Sequence, residues 1–194
     1  MRPALIIACI LLAAPVQAAW ARDPSVRVEV LADPDGASGL IRGVVEINAP
    51  PEVVWQVLLD CALAPHMVRS LKSCRILERD PAGRWDVREH VSRTGLLPSV
   101  RSVFRSDYDP PRHIRFYRVG GDLKRLDGEW RLVPLDGGRR TRVLYENRAS
   151  APFAIPGPIA RLALRRDVPE ALTALRRQAE ARAGPASSPS GEVR

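Results

Sequence analysis

Five stretches that alternate charged with apolar residues follow one another after Trp85, and one long helical run closes the pattern. The stretches are WDVREHVS (85–92), PSVRSVFRSDY (98–108), HIRFYRV (113–119), KRLDGEWRLVPL (124–135) and TRVLYENRAS (141–150). Period-two alternation marks half-buried strands, and the breaks at DPPR, VGGD and LDGG are turn signals, so the strands form an antiparallel meander. A sheet with one apolar face must cover that face. The only element long enough is GPIARLALRRDVPEALTALRRQAEAR (157–182), whose Leu164, Val168, Leu172 and Leu175 share a side away from Arg165, Arg176 and Arg177. The sheet is expected to curl around this helix. Arg101, Arg105, Arg115, Glu129, Arg131, Arg142 and Glu146 then face water, and Val100, Phe104, Ile114, Phe116, Trp130, Leu132, Val143 and Tyr145 face inward.

Upstream, SVRVEVLA and GLIRGVVEIN read as a hairpin broken by DPDGAS. In APPEVVWQVLLD a proline opens a short amphipathic helix carrying Val54, Trp55, Leu58 and Leu59 on one face. The fold class is therefore α+β: a curved antiparallel sheet wrapped around a long C-terminal helix, with short helices after the first strands. Trp130 should share the covered face with Leu126, Gly128 and Leu132, the small Gly128 letting the helix approach. Pro169 should lie outward on a single bent helix, since by turn counting it falls with Arg165 and Arg176.

The chain begins MRPALIIACILLAAPVQAAWA, a basic head, a short apolar run and small residues before Ala19, which reads as a signal peptide over residues 1–18. The run is too short to span a bilayer core of about 30 Å. A lipoprotein reading at Cys9 fails because the apolar run continues beyond it. Residues 19–183 are expected to be a single domain, and residues 184–194, rich in Gly, Pro and Ser, a disordered tail. The net charge of +8 comes mostly from arginines spread singly along the strands, which argues for a solvated basic surface and weak attraction to an anionic membrane rather than for nucleic acid. The protein is expected to be exported, in a periplasmic setting.

DCALAPHMVRSLKSC (60–74) gathers Asp60, Cys61, His66 and Cys74. As a nucleophile, base and orienting acid these residues are merely close in sequence, and catalytic sets generally come from separate elements. As zinc ligands they lack the close pairs that one turn presents to a tetrahedral ion. Two cysteines flanking a proline-containing turn in an exported domain read best as a disulfide, Cys61 to Cys74.

INAPPEVVWQVLLD, IRFYRVGGDLKRLDGEWRLVPL and IPGPIARLALRRDVPEALTALRRQ, in this order over residues 39–183, resemble the START-like (SRPBCC) superfamily, in its polyketide cyclase/dehydrase and coenzyme Q-binding branch. The resemblance implies a helix-grip fold. It also implies an internal cavity with the 61–74 segment at its mouth, so that the disulfide would hold the rim. Members often carry aromatics where this chain has Cys61 and His66.

A gap between sheet and helix is the natural pocket in such a grip. Strand parity groups Trp85 with Val87, Glu89 and Val91, then Ser102 with Phe104 and Ser106, Ile114 with Phe116, and Tyr145 with Asn147. The candidate ligand-binding residues are Trp85, Glu89, Ser102, Phe104, Phe116, Tyr145 and Asn147. If the Trp85 face is inward, Glu89 is a desolvated acid able to move protons; in the opposite register Glu89 meets water or an arginine and His90 lies inside. His90 and His113 have no partner at metal spacing and read as surface or rim residues. The chain carries no Gly-rich phosphate loop or dinucleotide fingerprint, so no cofactor and no metal is expected. The first functional expectation is a non-catalytic binding or carrier protein for a lipid, isoprenoid or quinone. The alternative is a cyclase/dehydratase-type enzyme using Glu89 with Tyr145 or Asn147.

Overall fold

The computed structural model describes residues 26–31, 39–95, 97–150 and 157–184, with side chains of the last helix described from Arg165. The expected signal peptide, the tail beyond Gly184 and the Leu164 side chain lie outside these residues.

The elements run β1 (Val26–Leu31), β2 (Gly39–Ile47), α1 (Pro51–Leu59), α2 (Ala64–Met67), β3 (Leu71–Arg79), β4 (Trp85–Ser92), β5 (Val100–Asp109), β6 (His113–Gly121), β7 (Arg125–Leu135), β8 (Arg140–Ser150) and α3 (Gly157–Ala183). The strands form one antiparallel sheet in the order β1-β2-β8-β7-β6-β5-β4-β3, with β3 register-shifted between Leu71 and Ser73 and between Ile76 and Glu78. This is the helix-grip arrangement. The meander runs backward from β8 to β3, and the β1–β2 hairpin adds to the β8 side, where α3 packs on both strands. Among the described residues no helix is long and apolar enough to cross a membrane.

The core joins Val45 and Ile47 of β2, Val54 and Val57 of α1, Val143 of β8, and Leu172, Leu175 and Ala179 of α3. α1 forms because Pro51 supplies the helical φ of its first turn at no hydrogen-bond cost and Val54 and Val57 fall on one buried face. α3 is fastened to it at the polar margin by Arg182 to Asp60 (3.2 Å) and by Glu180, which accepts from the Asn48 amide (2.9 Å). The close approach of helix to sheet falls on Gly43 rather than Gly128. A Cβ at Gly43 would stand 2.7 Å from Leu172 Cδ1. The space above Gly128 is taken instead by the Phe116 ring, and its backbone is crowded by β8.

Trp130 does face inward with Leu132, stacked on Tyr145 with ring centroids 4.1 Å apart. α3 continues unbroken through Pro169, but the proline is half-buried, not outward. It lines the groove between α3 and β1, because the edge strand reaches under that side of the helix. Cys61 and Cys74 are bonded, with Cα atoms 5.4 Å apart, tying the residue after the α1 C-cap to β3.

Gly43→Ala should destabilise by roughly 1–3 kcal/mol in urea unfolding, because Leu172 has little room to yield, and Leu172→Ala in the same chain should return part of that loss. Replacing both cysteines by serine should cost ~3 kcal/mol in the chain-entropy picture; an unchanged unfolding midpoint would show that the bridge contributes nothing.

Candidate functional site

Between the inward face of β4 to β7 and the three helices lies a cavity of about 140 Å³. Leu58 and Leu59 come to it from the end of α1, Ala64 and Met67 from α2, and Ala171 and Leu175 from α3. Phe104, Ile114, Phe116 and Trp130 supply the sheet side, and Val68 and Leu71 the segment entering β3. Ser106, flanked along β5 by Phe104 and Tyr108, leaves volume that a larger side chain would fill.

β4 turns its polar parity toward this space. Arg88 and His90 line the cavity, and the register pairs Asp86 with Ser106, Arg88 with Phe104 and His90 with Ser102. Trp85 and Glu89 are therefore on the outer face, away from the cavity, contrary to the register that made Glu89 an internal acid. Two local facts account for the inversion. The Trp85 ring is covered by the Arg105 guanidinium, 4.2 Å from its centroid, so an apolar side chain tolerates the outer face. Glu89 is buried beneath Arg101 and Arg75, the latter at 2.7 Å. Their hydrogen bonds, Arg101's first, hold its carboxyl below the usual range. An ionised, doubly paired carboxylate outside the cavity is not placed to exchange protons with a molecule inside it.

Inside, Arg88 is nearly sealed, its side chain 7% exposed and that of Asp86 2%. Its Nε donates to both Asp86 oxygens at 3.0 Å, and its Nη2 to Leu59 O and to the Tyr108 hydroxyl, each at 3.1 Å; Nη1 lies 3.4 Å from Leu58 O. The two carbonyls belong to the last turn of α1, where helix geometry leaves them without intrahelical donors. Tyr108, whose hydroxyl is pushed up by burial, also meets Trp55 edge-on at 5.8 Å.

His90 Nε2 is buried with no hydrogen-bond partner among the described residues. Its ring meets Phe104 edge-on at 4.8 Å, and burial, then the charge of Arg88, lowers it to about 4. Cys74 stands opposite His90 in the β3–β4 register, so the disulfide adjoins this corner.

The other candidate residues divide. Phe104 and Phe116 line the cavity. Ser102 is inward with its hydroxyl 3.5 Å from the His90 carbonyl. Tyr145 and Asn147 are inward on β8 but lie beyond Trp130 and Gly128 rather than on the cavity wall. Burial pushes the Tyr145 phenol up to about 12, and Asn147 Oδ1 is buried without a partner among the described residues. Asp86, Arg88, Ser106 and Tyr108 were not among the candidates. The available signal was opposite charges two residues apart on one strand face, able to neutralise each other when buried. Among the described residues no cluster of three His, Cys, Asp or Glu side chains could hold a metal.

Because His90 is neutral in the fold down to about pH 4 while an unfolded histidine takes its proton near 6.5, the unfolded state binds more protons across that window. The histidine's contribution is thus complete above about pH 6.5 and declines as pH falls toward 4, by roughly 3 kcal/mol at most. Denaturation at pH 7 and at pH 4.5 should show His90→Gln losing less stability between the two than the parent does. Equal losses would mean that the ring is solvated.

No curated protein matches the sequence. Solved structures do match the fold. The STAR-related lipid transfer protein of Xanthomonas axonopodis is 20% identical, with a TM-score of 0.67 over 81% of this chain and 94% of that one. The Zhui aromatase/cyclase of a Streptomyces species is 21% identical, with a TM-score of 0.62 over 74% and 94%. The lipid transfer domain of human StarD13 is 16% identical, with a TM-score of 0.65 over 80% and 85%. The family model described as polyketide cyclase / dehydrase and lipid transport matches residues 47–176, and by that match this START-like chain belongs to the polyketide cyclase/dehydrase and lipid transport family.

Proposed function

We propose that this protein is an exported binding or carrier protein for a hydrophobic small molecule, a lipid, isoprenoid or quinone, held between sheet and C-terminal helix. The observation that carries the reading is the cavity, walled by aliphatic and aromatic side chains from seven elements with a polar corner at Arg88 and His90. Preformed apolar concavities with a few placed polar groups are the usual form of small-molecule sites. A dry cavity of about 150 Å³ admits a benzene-sized molecule, so the volume of about 140 Å³ suits one ring or the end of one chain.

The family description and the lipid transfer neighbours support the ligand class. The aromatase/cyclase neighbour keeps an enzyme in the fold's range, but the outward, paired Glu89 lends no support to a reaction built on that acid. Export is supported by the apolar N-terminal stretch together with the disulfide, since such bonds persist in oxidising compartments. Exposed Arg165, Arg166 and Arg177 on α3 support weak contact with an anionic membrane surface, although Glu170 stands 3.7 Å from Arg166 and takes up part of that charge.

Protein stripped of bound material under native conditions should bind ethylbenzene saturably in calorimetry. Ala171→Phe, which fills the cavity from α3, should weaken that binding at least tenfold while the far-ultraviolet circular dichroism stays that of the parent. Folded parent protein with no saturable uptake would remove the reading.

A further inference from the structure

Among the described residues every buried side-chain nitrogen and oxygen on the cavity's β4 wall has at least one hydrogen-bond partner, with one exception. Asp86 gives both oxygens to Arg88, and Arg88 spends its donors on Asp86, on the two α1 carbonyls and on Tyr108. His90 Nε2 is buried and has no partner among the described residues, in a side chain that borders the cavity. A buried nitrogen left unpaired is costly, and native proteins satisfy nearly all such groups. The cavity that His90 borders gives a bound molecule access to this side chain.

The charge of the wall restricts what can enter. Asp86 and Arg88 sum to zero, and among the described residues no second cation lines the cavity. A carboxylate or phosphate brought in from water would therefore lose its hydration with no free countercharge to replace it. An uncharged oxygen meets no such penalty. The remaining lining residues, from Leu58 round to Leu175, are apolar apart from Ser106 and Tyr108, so the rest of the ligand is hydrocarbon.

We infer that the cavity takes an uncharged molecule with an apolar body and one hydrogen-bonding oxygen, an alcohol, phenol or carbonyl, and that His90 Nε2 is the residue that holds that oxygen. The inference rests on the proposed binding function and adds to it the polarity, the charge and the anchoring atom of the ligand. His90 is held neutral by burial and by Arg88, with Asp86 acting in the opposite sense, so its nitrogen can accept from a hydroxyl or, in the other tautomer, donate to a carbonyl. Asn147 Oδ1, the other unpaired inward atom among the described residues, does not border the cavity and is not part of this site.

The test compares three probes built on the same ethyl-substituted ring, ethylbenzene, 4-ethylphenol and 4-ethylbenzoate, at pH 7.5 on the full folded chain and on His90→Phe and His90→Gln. His90→Phe should weaken 4-ethylphenol at least tenfold while changing ethylbenzene less than threefold, and His90→Gln, which keeps a hydrogen-bonding group near the site, should recover part of the phenol affinity. The benzoate should bind the parent at least tenfold more weakly than the phenol. Phenol affinity unchanged in His90→Phe, or lost in equal measure with ethylbenzene, would overturn the anchor; benzoate binding as tight as phenol would overturn the claim of neutrality. If ethylbenzene itself fails to bind the folded parent, the cavity is no ligand site and the proposed function falls with the inference.

Discussion

A buried arginine cannot be left alone, and the region around the cavity is arranged by that constraint. Removing one partner of a buried ion pair costs about 3–5 kcal/mol, because the charge left behind has no water to turn to. Arg88 is satisfied by a neighbour on its own strand and by three groups from elsewhere, and these groups lock α1 and β5 to β4. The residues that follow α1 inherit that position. Asp60 caps the turn by accepting from the Ala62 amide at 3.1 Å and binds Arg182 of α3, and Cys61 is bridged to β3. The segment from Asp60 to Cys74, which supplies Ala64, Met67, Val68 and Leu71 to the cavity wall, is thus suspended from strand, helix and disulfide at once.

The two ends of the grip differ because their side chains differ in size. Near α1 the large aliphatics of β2, β8 and α3 interlock, and Gly43 lets Leu172 settle against the sheet without a gap. Toward β4 and β5 several inward positions are small or polar, Ser102, Ser106 and His90, and the helix side offers Ala171. Arg88 crosses to α1 and Phe104 and Tyr108 stand beside it, but the small residues leave the space between them open. The hollow is therefore a consequence of composition along two strands, not of a different backbone.

This contrast also separates what the sequence discloses from what it conceals. On β5 to β8 one parity is charged and the other apolar, so Arg101, Arg131 and Arg142 announced the outer face, and the inward positions of Phe104, Phe116, Trp130 and Tyr145 followed. On β4 both parities carry charges, and the apolar Trp85, Val87 and Val91 pointed to the wrong side. What corrects the assignment is non-local: Arg75 and Arg101 approach Glu89 from two different neighbouring strands, and that register cannot be counted from one sequence. The disulfide was readable because two cysteines flanking one proline-containing turn have few other partners. The tight glycine was not, because whether helix or aromatic ring lies above Gly43 or Gly128 depends on where α3 crosses.

Among the described residues β3 is the terminal strand of the sheet, with no partner strand along its outer row of backbone groups. Such edges invite a strand from another molecule to add on, the first step of many aggregates. Here the invitation is spoiled twice. The two register shifts break the regular ladder, and exposed Lys72, Arg75, Glu78 and Arg79 place charge along the same strand, where an identical copy pairing in register would bring like charges together. The strand that carries half of the disulfide is for these reasons a poor template for self-association, which lets a sheet remain open at this edge without becoming adhesive.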